Sequence, residues 1–304
     1  MNTFSADWLS LRESVDHRSR NPPLQEKVID YLHQIADSKD GAIQIVDLGS
    51  GTGSNLRALA PLIHRNQQWT LIDYDPLLLN SARQKLCVWA DNILPNVNKN
   101  DSDDFTTVKP LTLIKNQHQI TVDFLQNDLA KNLPAVLSQP ADLITAAAFF
   151  DLVAFDWLEE FCKLLQSPLY TVLTYNGKER WLPEDPRDTE ILKAFHAHQA
   201  RDKGFGPSAG PLALGVLKQL LLQRGFQITT GISPWILGQD DSVLISELAR
   251  GSAKAVAETK LVNHETAEQW GEHRSQSPWC EIGHDDLFAV CKNISTQVSQ
   301  RHFL

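Results

Sequence analysis

Three glycines at alternate positions, Gly49, Gly51 and Gly53, follow an acid, Asp47, in the stretch I-Q-I-V-D-L-G-S-G-T-G-S-N. The aliphatic and β-branched residues before the glycines predict a buried strand. Glycine has no Cβ and adopts left-handed conformations freely, so a turn of this kind lets a ligand approach bare backbone. The pattern predicts a cofactor-binding turn between this strand and a helix over residues 56–63.

A second acid, Asp73, ends the next predicted strand, about twenty residues beyond the glycines, where a carboxylate can accept both hydroxyls of a ribose. A dinucleotide-binding turn, G-x-G-x-x-G, would have its third glycine where this chain has Ser54. The carboxylate of Asp47 would repel a pyrophosphate but suits the cationic amino group of an amino acid. The spacing therefore favours an adenosyl amino acid over a nicotinamide dinucleotide.

At these residues the sequence resembles the class I S-adenosylmethionine-dependent methyltransferases, whose first motif has the form acid-x-Gly-x-Gly-x-Gly. Three further segments, in the family's order, extend the resemblance to residues 43–150: L-I-D-Y-D-P, V-D-F-L-Q-N-D-L and A-D-L-I-T-A-A-A-F-F. The resemblance implies S-adenosyl-L-methionine as the cofactor. The cofactor-binding residues that it implies are Asp47, Gly49, Ser50, Gly51, Gly53, Asp73, Tyr74, Asp128, Leu129 and Ala146.

The resemblance also implies a role for the residues after the glycine motif. Asp73 would hold the ribose hydroxyls, Tyr74 would flank the adenine, and Asp128 would face the adenine amino group. Leu129 would contribute backbone, and Ala146 would lie beside the sulfonium. Asp128 has a second interpretation, as the N-cap or turn residue before a short helix over residues 129–133.

The fold implied is α/β: a doubly wound, seven-stranded, mostly parallel sheet with an antiparallel last strand, an N-terminal helical lid and inserted helices. We predict a helical cap over residues 1–40 and a methyltransferase domain over 41–304. The insertions are predicted at about 91–118, 176–211 and 238–283. The first is predicted to be either a hairpin at residues 106–114 or a mobile loop. The last three strands are predicted at residues 169–174, 225–235 and 285–291.

Composition limits the kinds of ligand and partner that we expect for this protein. The chain has 28 basic and 37 acidic residues, a net charge of −9, and so lacks the basic footprint of a protein that binds nucleic acid. The sequence predicts no membrane-spanning segment. Its four cysteines are scattered without metal-binding spacing, which predicts reduced thiols, no metal site and a cytoplasmic enzyme. Oligomeric state is not predicted.

Methyl transfer from a sulfonium is an in-line displacement that needs an aligned nucleophile and, for many oxygen acceptors, a general base. Asp151, directly after the fourth strand, and His196, on a predicted helix, are the candidate catalytic residues; Asp151 could instead cap the next helix. Where family members that methylate nucleobase amines carry D/N-P-P-Y/F/W, this chain has A-F-F-D. We expect the acceptor to bind between Tyr175 and Pro211.

The predicted function is methyl transfer to an oxygen or nitrogen of a small-molecule acceptor. Three alternatives remain at this stage: a tRNA or rRNA methyltransferase, a non-catalytic subunit of the same fold that binds the cofactor, and a nicotinamide oxidoreductase. The net charge disfavours the first, the intact motif disfavours the second, and Ser54 with Asp47 disfavours the third.

Overall fold

A single twisted sheet organises the computed structural model, which describes residues 4–95 and 108–291. In chain order, its strands are β1 (Ile43–Leu48), β2 (Gln67–Asp73), β3 (Asn92–Leu94), β4 (Leu111–Lys115), β5 (His118–Gln126), β6 (Leu143–Ala147), β7 (Leu169–Leu182), β8 (Phe226–Ile232), β9 (Trp235–Leu237) and β10 (Trp279–Cys291).

Ten α-helices occur among the described residues. They are α1 (Ala6–Arg18), α2 (Pro22–Ser38), α3 (Ser54–Leu59), α4 (Pro76–Trp89), α5 (Leu133–Leu137), α6 (Phe155–Leu164), α7 (Asp188–Gln199), α8 (Ala213–Gln223), α9 (Ser242–Thr259) and α10 (His264–Arg274). The capping chemistry matches the sequence: Asn21 caps α2 and Asp75 caps α4, each just before a proline in the first turn.

The strand order confirms the predicted sheet. It reads β3-β4-β5-β2-β1-β6-β7-β10-β8, with β9 paired to β10. The neighbours from β5 to β7 are parallel, and β10 lies antiparallel between β7 and β8. Seven strands therefore form the predicted sheet, with six running one way and β10 running against them. The short strands β3, β4 and β9 are additions that the sequence analysis did not assign.

Three boundaries differ from the prediction. The sixth strand, predicted over residues 225–235, ends at Ile232, and β9 starts only at Trp235, because Pro234 has no N–H to continue the ladder. The strands β7 and β10 are both longer than predicted, since they pair with each other from Leu169 to Leu182. Residues 176–182 of the predicted 176–211 insertion are therefore part of the sheet.

The segments that flank β5 also differ from the prediction. Residues 129–132 form a turn, and the helix that follows, α5, begins only at Leu133 because Pro134 favours a helix start there. The predicted hairpin at residues 106–114 lies partly outside the described residues. The described hairpin joins β4 to β5 through Asn116 and Gln117, both in left-handed conformations as a two-residue turn requires.

Apolar side chains cover both faces of the sheet. On one face, α1 to α4 and the later helices α7, α9 and α10 pack against the strands. On the other, α5, α6 and α8 bury a cluster of large aromatic and aliphatic residues that includes Phe150, Trp157, Phe161 and Leu217. Helices on both faces leave only the carboxyl-terminal edge of the parallel strands open for a ligand.

One buried carboxylate joins three parts of the fold. Asp286 on β10 is fully buried and accepts hydrogen bonds from the backbone N–H of Leu173, 2.8 Å, and of Asn21, 2.9 Å, and from the Ser233 hydroxyl. Leu173 has a positive φ of 57°, which takes its N–H out of the regular ladder. The carboxylate therefore satisfies a bulge in β7, the end of β8 and the start of α2 together.

We predict that Asp286→Ala lowers the free energy of unfolding by about 3 kcal/mol, because three buried donors lose their acceptor. Urea denaturation followed by circular dichroism measures the change. The matched control is Asp285→Ala, since Asp285 is only partly buried and has no such contacts among the described residues. Equal losses for the two variants would contradict the role given to Asp286.

Candidate cofactor-binding and active site

A cavity of about 400 Å³ opens at the carboxyl ends of β1, β2, β5 and β6. Of the predicted cofactor-binding residues, all but Gly53 and Ala146 line it. Its lining residues are Phe4, Leu9, Arg12, Asp16, Arg20, Asp47, Gly49, Ser50, Gly51, Thr52, Ser54, Asn55, Asp73, Tyr74, Leu78, Asn127, Asp128, Leu129, Ala147, Ala148, Phe149, Leu152, Lys203 and Phe205. The open edge of the sheet thus brings together segments far apart in sequence.

The glycine turn has the geometry that its sequence predicts, with positive φ at Gly49 (62°), Gly51 (53°) and Gly53 (74°). A Cβ at Gly49 would lie 2.6 Å from Cδ2 of Phe149, so no other residue fits there. A Cβ on Gly53 would lie 3.4 Å from Cβ of Ala82 on α4. Gly53 therefore allows close packing of the turn instead of lining the cavity.

Ala146 also lies outside the cavity lining. It is fully buried in β6, and its neighbours Ala147 and Ala148 line the cavity instead. The reason is the alternation of side chains along a strand, which directs Ala146 into the aromatic cluster on one face of the sheet. The sequence motif located the end of the strand but not the residue that faces the ligand.

Asp47 is fully buried at the base of the cavity. Its Oδ1 accepts a 2.7 Å hydrogen bond from Nδ2 of Asn55, which also contacts Oγ1 of Thr145 at 3.1 Å. Its Oδ2 is buried without a hydrogen-bond partner among the described residues. Burial raises the pKa of Asp47 to about 7. The carboxylate is therefore oriented by Asn55 and keeps one oxygen free for a ligand.

Arg20, in the segment between α1 and α2, brings a cation to the same cavity. It is only 4% exposed, and its Nε and Nη1 are buried without partners among the described residues. Its positive charge opposes the rise in the pKa of Asp47, although the two side chains form no direct ion pair. In the sequence, Arg20 is one of three closely spaced basic residues with His17 and Arg18, and nothing there places it beside Asp47.

The two later acids are held by backbone N–H groups. Asp73 accepts from the N–H of Gly51 at 2.8 Å and from that of Asp75 at 2.9 Å, and burial raises its pKa. Asp128 accepts a hydrogen bond from the N–H of Ala130 at 3.1 Å, so it also acts as a turn residue, the second of its two predicted roles. Its neighbour Asn127, which the sequence analysis missed, also lines the cavity with a buried and unpartnered Oδ1.

Helix α1 forms one wall of the cavity, as expected of an N-terminal lid. Two contacts anchor it to the glycine turn: Nε2 of His17 lies 3.0 Å from Oγ of Ser54, and Oε1 of Glu13 accepts a 2.7 Å hydrogen bond from Nε of Arg57. Leu9 lies against Gly51, where an added Cβ would approach its Cδ1 to 3.0 Å. Ser54, which replaces the glycine of a dinucleotide turn, is thus the attachment point of this wall.

The two predicted catalytic residues lie outside the cavity lining. Asp151 is buried, with a pKa raised by burial to about 6, and accepts a 3.3 Å hydrogen bond from Gln199. His196 contacts the hydroxyl of Tyr175 at 3.0 Å, and burial lowers its pKa. The catalytic roles of Asp151 and His196 stay predictions that their positions do not support.

No arrangement of acidic, histidine and cysteine side chains in the described ranges is suited to hold a metal ion. His198 points away from its neighbour His196 on α7 and contacts Glu258 at 3.0 Å. None of the described helices has both the length and the apolar character needed to cross a membrane.

An aromatic wall closes the side of the cavity beyond β6. The ring of Phe205 lies 5.7 Å from that of Phe149 and 5.6 Å from that of Trp157, centroid to centroid, in edge-to-face contacts. Lys203 lies in the same loop and lines the cavity. The predicted acceptor region between Tyr175 and Pro211 therefore contributes two residues to the site.

No model of a protein family matches the sequence, and no curated protein matches it. Among solved structures, it is similar to a SAM-dependent methyltransferase from Thiobacillus denitrificans in complex with S-adenosyl-L-homocysteine, at 12% identity and a TM-score of 0.43, covering 94% of this chain and 98% of that one.

A cyclopropane-fatty-acyl-phospholipid synthase-like protein from Lactobacillus casei is similar at 13% identity and a TM-score of 0.45, covering 92% of this chain and 99% of that one. A SAM-dependent methyltransferase from Geobacter sulfurreducens, also in complex with S-adenosyl-L-homocysteine, has 12% identity, a TM-score of 0.43 and coverage of 95% and 99%. Similarities of this size identify neither a ligand nor a reaction.

We predict that Asp47 titrates near pH 7 in the ligand-free protein and that Arg20→Met raises its pKa further, because the substitution removes a cation that favours the ionised carboxyl. Carbon-13 NMR of the labelled aspartate carboxyls measures both values. A titration of Asp47 near pH 4, or no change in Arg20→Met, would show that the two groups do not share one buried environment.

Proposed function

We propose that this chain, which has the α/β fold expected of a class I S-adenosylmethionine-dependent methyltransferase, binds S-adenosyl-L-methionine and transfers its methyl group to an oxygen or nitrogen of a small molecule. One observation carries the proposal. A free carboxylate oxygen of Asp47 and free guanidinium nitrogens of Arg20 are buried in the same cavity at the glycine turn. They are complementary to the ammonium and carboxylate groups of a free amino acid.

The neighbouring strands supply groups for the rest of this ligand. The carboxylate of Asp73 at the end of β2 keeps lone pairs for ribose hydroxyls, since each oxygen accepts one backbone hydrogen bond. Asp128 and Asn127, after β5, offer acceptors to an adenine amino group, and Tyr74 lies at the rim. The amino acid, ribose and base subsites would then lie in order along β1, β2 and β5.

When bound, the cofactor supplies a methyl group on a cationic sulfur. The residues of the chain would align the reactants and exclude water, which is the main source of rate in a displacement of this kind. Ala147, Ala148 and Phe149 extend the cavity from the glycine turn toward the aromatic wall. The methyl acceptor would bind there, against the wall that Phe149 and Phe205 form.

A small molecule is the favoured acceptor over RNA, because the net charge of −9 gives no general attraction for a polyanion. A nicotinamide dinucleotide is disfavoured, because its pyrophosphate would meet the Asp47 carboxylate. The unpartnered groups of Asp47 and Arg20 favour an intact cofactor site, and transfer of label distinguishes an enzyme from a non-catalytic subunit that binds the cofactor. We keep the cytoplasm as the proposed location, on the scattered cysteines of the sequence.

Isothermal titration calorimetry tests the cofactor. We expect S-adenosylmethionine and S-adenosylhomocysteine to bind and NAD not to bind. Asp73→Ala should weaken cofactor binding by about tenfold to a hundredfold, because it removes charge-assisted hydrogen bonds to the ribose. The matched control, Asp156→Ala, removes an exposed carboxylate of α6 outside the cavity and should leave affinity unchanged. Binding of NAD alone would overturn the assignment.

Cofactor affinity should rise with pH through about 7 and then reach a plateau. Below its pKa of about 7, Asp47 is neutral, and its ionisation is needed to pair with the ligand ammonium. We therefore expect the dissociation constant for S-adenosylhomocysteine to rise about tenfold for each unit of pH below the pKa. In Asp47→Asn the affinity should be low and flat with pH. A wild-type profile without a step near pH 7 would contradict this role.

Methyl transfer itself is tested with methyl-labelled S-adenosylmethionine and a fractionated cell extract. We expect label in the small-molecule fraction, dependent on active protein and abolished by excess S-adenosylhomocysteine. Label confined to the RNA or protein fraction would contradict a small-molecule acceptor. Cofactor binding without label in any fraction would favour the non-catalytic alternative.

A further inference from the structure

Among the cationic side chains that line the cavity, Arg20 and Lys203 have no carboxylate within ion-pair distance among the described residues. Arg12, in contrast, is neutralised, because its Nε and Nη2 donate to the carboxylate of Asp16 at 2.8 and 3.1 Å. Under the proposed function, the carboxylate of the cofactor would pair with the guanidinium of Arg20. Lys203 forms no ion pair among the described residues, although the charge of Glu258 acts on it from a longer distance.

The backbone around Lys203 is held in place. Oδ1 of Asp202 accepts hydrogen bonds from the N–H groups of Gly204 and Gly206, at 2.6 and 2.9 Å, and Phe205 is fixed against Phe149. Lys203 is partly buried, and its pKa is lowered by burial and then by the nearby Arg201, with Glu258 opposing the shift. A partly desolvated ammonium group gains most from an anionic partner.

Lys203 belongs to the acceptor side of the cavity. Sheet order places Asp73 and Asp128 on one side of β1, at the ends of β2 and β5. On the other side follow β6 and Phe149, against which Phe205 of the Lys203 loop packs. The loop that carries Lys203 therefore lies on the side of the cavity away from the proposed adenosine subsite.

No carboxylate in the described lining of this side is free to act as a general base, and Asp151, whose Oδ1 has no partner, lies outside that lining. Of the four carboxylates that line the cavity within the described ranges, three belong to the proposed cofactor subsites: Asp47, Asp73 and Asp128. The fourth, Asp16, binds Arg12 and accepts a 3.1 Å hydrogen bond from Nε1 of Trp235. A neutral hydroxyl acceptor would find no carboxylate there to take its proton, whereas an acceptor that is already an anion needs none.

We propose that the methyl acceptor is an apolar or aromatic carboxylic acid whose carboxylate pairs with Lys203, an inference that rests on the proposed function. One carboxylate oxygen attacks the methyl carbon as the carbon–sulfur bond breaks, and that bond's electron pair stays on sulfur. The products are a methyl ester and the neutral thioether, S-adenosylhomocysteine. No proton moves, and the apolar body of the acid packs against the cavity-facing sides of Phe149 and Phe205.

A binding experiment tests the charge preference. Protein saturated with S-adenosylhomocysteine, whose sulfur is neutral, is titrated with benzoate, benzamide and benzylamine and followed by NMR. We expect benzoate to bind at least tenfold more tightly than both other probes. Lys203→Met should abolish the tighter binding of benzoate. Two control variants should retain it: Lys203→Arg keeps the charge, and Lys193→Met removes an exposed lysine of α7. Equal behaviour of the three probes, including binding of none, overturns the proposal.

The product of methyl transfer gives a second test. Label transferred to small molecules should be released as volatile methanol by mild base, as expected of a methyl ester, and Lys203→Met should reduce its incorporation at least tenfold with cofactor affinity unchanged. Base-stable label overturns the proposed acceptor class but leaves methyl transfer standing. Failure of S-adenosylhomocysteine to bind the wild-type protein would instead overturn the proposed function itself.

Discussion

Two opposite charges are buried at the end of the glycine turn without forming an ion pair with each other. Removing a carboxylate and a guanidinium from water is expensive unless each finds partners. Asn55 satisfies one oxygen of Asp47, but the other oxygen and two nitrogens of Arg20 have no partner among the described residues. The ligand-free protein therefore retains an electrostatic cost that a ligand carrying both an ammonium and a carboxylate would relieve.

The rest of the structure keeps these charges in place. Because Gly49 has no Cβ, the ring of Phe149 packs directly against the glycine turn beside these charges. Helix α1 closes the cavity above the turn through the contacts of His17 and Glu13. Arg20 reaches the cavity because the chain turns between α1 and α2, where Asp286 binds the N–H of Asn21. A carboxylate in the last strand thus fixes the position of a cation in the first segment.

The acceptor side of the cavity is mainly aromatic, unlike the polar side at the glycine turn. Its wall is formed by the rings of Phe149, after β6, and Phe205, in the loop after α7, with Trp157 of α6 packed behind them. Arg12 on this side is paired with Asp16, whereas Lys203 forms no ion pair among the described residues. The buried Asp151 and Tyr175 and the half-buried His196 lie outside the cavity lining and contact polar partners elsewhere. This division separates a polar subsite for an invariant cofactor from an apolar one for a variable acceptor.

The strand–glycine–helix unit and the positions of Asp47 and Asp73 could be predicted from the sequence alone, because they depend on local hydrophobic pattern and on the backbone freedom of glycine. The sequence could not separate Ala146 from Ala147, since one residue of register decides which side chain faces the ligand. Only the tertiary structure placed Arg20, Asn55 and Lys203 in the cavity and Asp151 and His196 outside its lining. Those positions result from packing between segments distant in sequence, and no local pattern encodes such contacts.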